Sequence, residues 1–174
     1  QGISIQINKV SVNKSIINGC SGDMFAYKES TVAQIPVTEI TNSTLIKPQG
    51  RIFYAGNAAS FSIDYCTMYG WGGSKAMLEL GDKNTLGMSL AIKNTILANG
   101  GSNRKAHNAN AAANLSLTIE KVYGTNDMTF HSTLGDVTKY DKPSTEVFEN
   151  PEEGNFKIID ALFPSSIGDP RWTE

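Results

Sequence analysis

The residues that could carry acid–base or metal chemistry are few, and their spacing fits no catalytic arrangement. The chain has only two histidines, His107 in an Asn-rich stretch and His131 directly after Phe130 on an alternating segment. Neither has a carboxylate or a second histidine at a metal-binding spacing, so the sequence predicts no metal site. The simpler interpretation of both is a solvated or sheet-edge histidine.

Nucleophile and phosphate motifs are also incomplete. The segment GCSGD at 19–23 is not a G-x-S-x-G nucleophile elbow, and two S-x-x-K matches, at 11–14 and 102–105, lack companion motifs. In YGWGGSK at 69–75, glycines precede a Ser-Lys pair, but a strand pattern follows where a P-loop would open a helix. We therefore expect a non-enzymatic protein without a cofactor, and a tight turn at 69–75.

Aromatic residues are the stronger candidates for binding. Tyr65, Tyr69 and Trp71 fall within seven residues, beside flexible glycines. Tyr and Trp combine an apolar ring with a polar tip, so such a cluster suits a sugar ring or a lipid headgroup. The alternative is that these rings close one end of the hydrophobic core.

Two cysteines, Cys20 and Cys66, show no metal-ligand spacing. In an oxidising compartment they would close a loop of about 46 residues, which stabilises a fold by roughly 3–4 kcal/mol in the chain-entropy model. We expect this disulfide if the protein is secreted; the alternative is a pair of free thiols.

Secretion is the expected localisation, extracellular or at the cell surface. The chain begins at Gln rather than Met, which is compatible with removal of a signal peptide. Three Asn-x-Ser/Thr triplets, at Asn13, Asn42 and Asn114, are compatible with glycosylation in a secreted protein.

Composition excludes several classes. Hydrophobic residues make up 40% of the 174 residues, enough for a core. The net charge of −2 gives no reason to expect nucleic acid as a partner. No apolar run approaches the roughly 20 residues that a membrane-spanning helix needs, so the sequence predicts no transmembrane segment.

Alternating apolar and polar residues dominate the chain and predict an all-β fold. Two segments read as hairpins, KAMLELGDKNTLGMSLAIK at 75–93 and LSLTIEKVYGTNDMTFHSTL at 115–134, with Gly/Asn turns between alternating strands. A long polar connection separates them, and no repeat at solenoid spacing is apparent. We therefore predict an antiparallel β-sandwich of the jelly-roll or Ig-like type.

The stretch from Gly70 to Asn103 is similar to the central part of the aegerolysin-type cytolysins. That family has a Gly-x-x-Gly turn, a hairpin and then a Gly-Ser-Asn segment, matched here by GWGG, 76–93 and GSN. The chain departs from the family at 93–98, where KNTILA stands in place of an aromatic–Asp–Pro step. The resemblance implies a lipid- or glycan-binding β-sandwich.

Charge divides the chain into two predicted regions. Residues 136–174 hold nine acidic and four basic residues, a net charge of −5, and four of the six prolines. Residues 1–135 hold eight acidic and eleven basic residues, a net charge of +3. We predict a sandwich domain at 1–135 and an acidic arm at 136–174 that packs on this domain or on a neighbour.

The opening segment suggests self-assembly. Ile3, Ile5 and Ile7 alternate with polar residues, and Val10 and Val12 continue the alternation after a one-residue shift. A terminal alternating strand at 1–12 can complete the sheet of a neighbouring molecule, and a head-to-tail contact that does not close forms a filament. The first hypothesis is therefore an extracellular filament or coat subunit that forms a homo-oligomer. The alternative is a secreted binder of glycan or membrane lipid, adhesin- or cytolysin-like.

Overall fold

A computed structural model describes residues 7–27, 37–56, 59–80, 87–108 and 115–173, and shows an all-β solenoid rather than an antiparallel sandwich. Three parallel sheets run along it. Sheet A contains β1 (Lys9–Asn13), β4 (Val37–Thr41), β7 (Ser60–Asp64), β10 (Met88–Lys93) and β12 (Leu115–Glu120). Sheet B contains β2 (Ile16–Asn18), β5 (Thr44–Ile46), β8 (Thr67–Tyr69), β11 (Ile96–Ala98), β13 (Tyr123–Gly124) and β14 (Thr138–Lys139). Sheet C contains β3 (Phe25–Tyr27), β6 (Phe53–Ala55) and β9 (Leu78–Leu80).

Consecutive strands therefore belong to different sheets, and each turn of chain stacks on the one before it. About three turns, which we call coils 1 to 3, have a strand in all three sheets. Coil 4 (β10, β11) and coil 5 (β12, β13) extend sheets A and B. The predicted hairpin at 75–93 is wrong, because β9 pairs with β6 and β10 pairs with β7, all in parallel. The hairpin expected at 115–134 is wrong for the same reason, since β12 pairs with β10.

A repeat is present, although the sequence conceals it. Ile16, Thr44, Thr67, Ile96 and Tyr123 stack in register on sheet B and are separated by 28, 23, 29 and 27 residues. The expectation of no solenoid repeat is therefore wrong. It failed because the spacing varies and the stacked residues share a facing direction rather than an identity.

Each corner from sheet A to sheet B has the same two-residue geometry. The first residue has a left-handed backbone, with φ between 43° and 52°, at Lys14, Asn42, Tyr65, Asn94 and Lys121. In four corners the second residue donates a hydrogen bond from its side chain to the carbonyl two residues earlier: Ser15 to Asn13, Ser43 to Thr41, Cys66 to Asp64 and Thr95 to Lys93. This bond satisfies a carbonyl that the turn removes from the sheet.

The interior of the solenoid is a stack of apolar side chains. On sheet A, Ile40, Ile63 and Ile92 lie directly above one another and are fully buried. On sheet C, Phe53 stacks between Phe25 and Phe61, with ring centroids 5.9 Å and 4.5 Å away. Fully burying one such side chain contributes roughly 1.5–3 kcal/mol, so each coil stabilises its neighbours.

The C-terminal segment covers the outer face of sheet B. After the short 3-10 helix Ser132–Leu134 and β14, it contains α1 (Ser144–Val147), the antiparallel pair β15 (Phe148–Asn150) and β16 (Asn155–Ile158), and 3-10 helices Pro151–Glu153 and Pro170–Trp172. Phe148, Phe156 and Phe163 are buried against Tyr69 and Ile96 in a second hydrophobic cluster. No helix in the described part of the chain is long and apolar enough to cross a membrane.

Candidate functional site

The residues of the predicted assembly strand lie at one end of the solenoid. Val10 and Val12 are half-buried in β1, which pairs with β4 of the same chain and is the edge strand of sheet A. Ile7 precedes β1 and is 56% exposed. Ile3 and Ile5 lie outside the described residues.

The structure separates the three predicted ligand-binding aromatics. Tyr65 occupies a left-handed corner position and is 40% exposed. Tyr69 is fully buried under the C-terminal segment, where its hydroxyl donates a 2.5 Å hydrogen bond to Glu152. Trp71 is 1% exposed and packs in the solenoid core. Only Tyr65 therefore presents its ring at the surface.

The predicted Cys20–Cys66 disulfide is wrong, because both cysteines are free thiols. Cys66 replaces a hydroxyl residue in the ladder of sheet A–sheet B corners, with its Sγ 3.3 Å from the Asp64 carbonyl oxygen. Burial raises the pKa of this thiol to about 12, so it stays protonated and poorly reactive. Cys20 follows β2, beyond the far end of sheet B from that corner.

The most distinctive polar cavity is a basic pocket of about 300 Å³ between coils 3 and 4. We name it the basic pocket; it is lined by Ser74, Lys75, Ser102, Asn103, Arg104 and Lys105. Residues 74–75 belong to the connection between β8 and β9, and residues 102–105 follow β11. The two segments are held together because the Met77 and Leu78 amides donate to the Lys105 and Ala106 carbonyls, both at 2.9 Å.

Gly73 shapes the rim of the basic pocket. Its φ is +70°, and a Cβ there would lie 2.0 Å from the Gln49 carbonyl oxygen in the coil below. Only glycine lets the two backbones approach so closely. The carbonyls of Gly72 and Gly73 then point to the Arg104 guanidinium and accept hydrogen bonds from Nη1.

Arg104 is held by backbone oxygens rather than by an acid. Besides the two Nη1 bonds, its Nε and Nη2 donate to the Ser102 carbonyl at 3.2 and 3.1 Å, and the guanidinium lies 5.8 Å from the Trp71 ring centroid. A guanidinium has five N–H groups, so one remains for a ligand. Burial lowers the pKa of Arg104, but an arginine stays charged. Within the described ranges, no carboxylate forms an ion pair with it.

Acidic residues close to the basic pocket are already paired. Glu79 accepts a 2.5 Å hydrogen bond from Arg51, which also pairs with Asp23 at 2.8 Å. Burial alone would lower the pKa of Arg51, but the hydrogen bonds from Glu79 and Asp23 raise it overall. Lys75 is 4.0 Å from Glu79. The pocket thus keeps an excess of positive charge.

The two histidines stay outside the pocket lining. Nδ1 of His131 accepts from the Thr133 amide, and Nδ1 of His107 lies 2.8 Å from the Asn108 carbonyl oxygen. Both roles are structural. Across the ranges that the structure describes, no three His, Cys, Asp or Glu residues are grouped in a way that could hold a metal ion.

Sequence reasoning missed this pocket. The segment 69–75 was interpreted as a tight turn only, and 102–105 was interpreted as polar connection. Lys75 and Arg104 are 29 residues apart, which matches the 29-residue spacing of coils 3 and 4. Recognising that spacing would have aligned the two cationic segments.

Residues 61–172 match the family described as a domain of unknown function (DUF5123). The chain belongs to the DUF5123 family. The match begins in β7 and spans coils 3 to 5 and most of the C-terminal segment, so the whole basic pocket lies inside it. No curated protein and no solved structure matches the chain.

Proposed function

We propose that this protein binds an acidic glycan, and that the basic pocket holds an anionic group of that glycan. The observation that carries the proposal is the convergence of Lys75, Arg104 and Lys105 on one cavity whose lining contains no carboxylate. Hydrogen bonds between a cation and an anion contribute roughly 1.5–3 kcal/mol each. A pocket with three cations therefore favours a carboxylate or sulfate over a neutral group.

The remaining lining residues suit a sugar. Ser74, Ser102 and Asn103 offer hydroxyl and amide groups that donate to and accept from sugar hydroxyls. In this arrangement the remaining N–H of Arg104 and the two lysine ammonium groups contact the acidic group. Arg104 provides the fixed contact, because four hydrogen bonds to carbonyl oxygens already orient it.

The surroundings favour a glycan over a lipid surface. A membrane-binding site needs a cluster of exposed apolar side chains. The exposed large apolar residues of the described chain are Ile7, Ile16, Val37, Tyr65, Ile159 and Leu162. None of them lines the basic pocket.

The test is binding of the full chain to acidic and neutral polysaccharides. Isothermal titration calorimetry would compare oligogalacturonate and chondroitin sulfate with neutral dextran. We expect saturable binding of an acidic glycan, no binding of dextran, and weakening by added salt, because exposed charges are screened. The double change Lys75→Gln with Lys105→Gln should weaken binding at least tenfold, equivalent to about 1.4 kcal/mol.

Lys157→Gln is the matched control. Lys157 is an exposed lysine on β16 in the C-terminal segment, away from the basic pocket. It removes one positive charge without touching the lining, so binding should be unchanged. Equal affinity for dextran, or equal loss in the control and the double variant, would show that the pocket is not the binding site.

Self-assembly through the N-terminal strand stays a prediction. As the edge strand of sheet A, β1 has one backbone edge turned away from β4, which is compatible with an added strand. A filament that disappears when residues 1–12 are deleted, viewed by negative-stain electron microscopy, would support assembly. Secretion likewise stays a prediction.

A further inference from the structure

A second cavity, distinct from the basic pocket, lies where the C-terminal segment meets the solenoid. It has a volume of about 310 Å³ and is lined by Lys14, Asn42, Asp169, Pro170 and Arg171; we name it the corner pocket. Lys14 and Asn42 occupy the left-handed positions of two successive sheet A–sheet B corners. The other three residues belong to the last 3-10 helix and its N-cap.

Asp169 fixes the floor of the corner pocket. It is 2% exposed, and its carboxylate accepts a 2.7 Å hydrogen bond from the Thr44 hydroxyl and a 3.0 Å bond from the Arg171 amide. Its own amide donates to the Thr67 hydroxyl at 3.1 Å. Both carboxylate oxygens are therefore committed to the protein, and the residue acts as an anchor for the segment.

Arg171 is positioned across the junction. Its Nη2 donates to the Lys14 carbonyl at 2.9 Å, its Nη1 lies 3.6 Å from Asp169, and its guanidinium is 5.9 Å from the Trp172 ring centroid. These contacts leave N–H groups of the guanidinium for a ligand. A guanidinium held in this way is suited to a planar or tetrahedral oxyanion.

Charge in the corner pocket is positive. Lys14 and Arg171 contribute two positive charges and Asp169 one negative charge. In the portion of the chain that the structure describes, the Lys14 ammonium forms no ion pair, whereas Lys9, two coil positions earlier on sheet A, pairs with Glu39. The lining therefore carries a net charge of +1 beside a preorganised arginine.

We infer that the corner pocket is a binding site for the oxyanion group of a small molecule, a carboxylate, phosphate or sulfate held between Arg171 and Lys14. This site is independent of the proposed glycan site. Because Arg171 lies on the C-terminal segment and Lys14 on coil 1, the bound anion fastens the segment to the solenoid.

The two tryptophans of the chain provide separate reporters. Trp172 lies beside Arg171, and its Nε1 donates to Thr44 at 2.7 Å. Trp71 lies beside Arg104 of the basic pocket. Titrations of the 15N-labelled full chain with phosphate, sulfate and glucuronate, at constant ionic strength set with chloride, would follow both indole N–H signals.

We expect a saturable shift of the Trp172 signal with at least one of the three anions, which also identifies the preferred oxyanion. Lys14→Gln should raise the apparent dissociation constant at least fivefold, and it leaves the carbonyl that Arg171 contacts in place. Lys121→Gln is the matched control, because Lys121 has the same corner position in coil 5 and does not line the pocket. Arg171→Lys, which keeps the charge but loses the planar fork, should also weaken binding.

A linear, unsaturated shift of Trp172 would overturn the inference, as would equal weakening by Lys14→Gln and Lys121→Gln. A shift confined to Trp71 would leave the proposed glycan site intact and remove the corner site. A saturable shift confined to Trp172 would do the reverse.

Discussion

The outer faces of sheets A and B are built on the same strand geometry but have opposite surfaces. Sheet B presents Ile46, Tyr69, Ile96 and Ala98 outward, and the C-terminal segment buries them. Sheet A presents small polar residues at the equivalent outward positions, among them Ser60, Ser62, Ser89, Ser116 and Thr118. The solenoid interior is apolar under both sheets.

This difference shows how the chain selects the face that receives a cover. The central strands of sheet B, TLI, TMY and ILA, are buried at every position, as expected for strands enclosed on both sides. Strand β10 on sheet A alternates buried and half-buried residues, as expected for one enclosed side. The outward residue type therefore determines where the C-terminal segment packs.

The largest expected effect comes from removing the cover's central ring. Phe156 is fully buried, and its ring centroid lies 5.2 Å from Tyr69, 5.5 Å from Phe148 and 5.8 Å from Trp172. Phe156→Ala should lower the free energy of unfolding by roughly 3–5 kcal/mol, measured by urea denaturation, because a large cavity replaces the ring. Leu162→Ala, at a residue 81% exposed in the same segment, should change it by less than about 0.5 kcal/mol. Equal effects would mean that the segment does not depend on this cluster.

A smaller effect, dependent on pH, is expected where polar groups hold the same cover. The Tyr140 hydroxyl donates to Asp160 at 2.6 Å and Lys142 pairs with it at 2.9 Å, and these contacts lower the pKa of Asp160 to about 2. In the unfolded chain the group titrates near about 3.9. The stability it contributes is therefore present above that pH and is lost as the pH falls towards 2.

Thermal unfolding of wild type and Asp160→Asn between pH 2 and 7 would check this. The variant should be less stable at pH 7, and the difference should shrink as the pH falls. A difference that is constant across this range would exclude a contribution from the ionised carboxylate.

The smallest effect is expected on the bare face. Ser62 lies in the middle of sheet A and points outward, half-buried among its neighbours. Ser62→Ala should change the free energy of unfolding by less than about 0.5 kcal/mol in the same urea assay, because no partner or cover is lost. A loss above about 1 kcal/mol would show that this face is covered in solution.

The sequence predicted strands correctly but not how they pair. Alternation at Met88–Lys93 has the same two-residue period whether the neighbouring strand is parallel or antiparallel, so Gly and Asn corners were interpreted as hairpin turns. The left-handed residues at the corners include Lys14, Tyr65 and Lys121, which carry no turn signal in sequence. Burial of Tyr69 depends on Glu152 and Phe156, more than 80 residues away, and no local pattern reveals such a contact.

The constant corner geometry has a consequence for how this chain tolerates changes in length. Two residues always separate a strand of sheet A from the following strand of sheet B, whereas stacked residues in successive coils are 23 to 29 residues apart. One extra residue in a corner would turn every side chain of the next strand to the opposite face. Epitope tags or inserted domains therefore belong after sheet B, on the side of each coil where natural coils already differ in length.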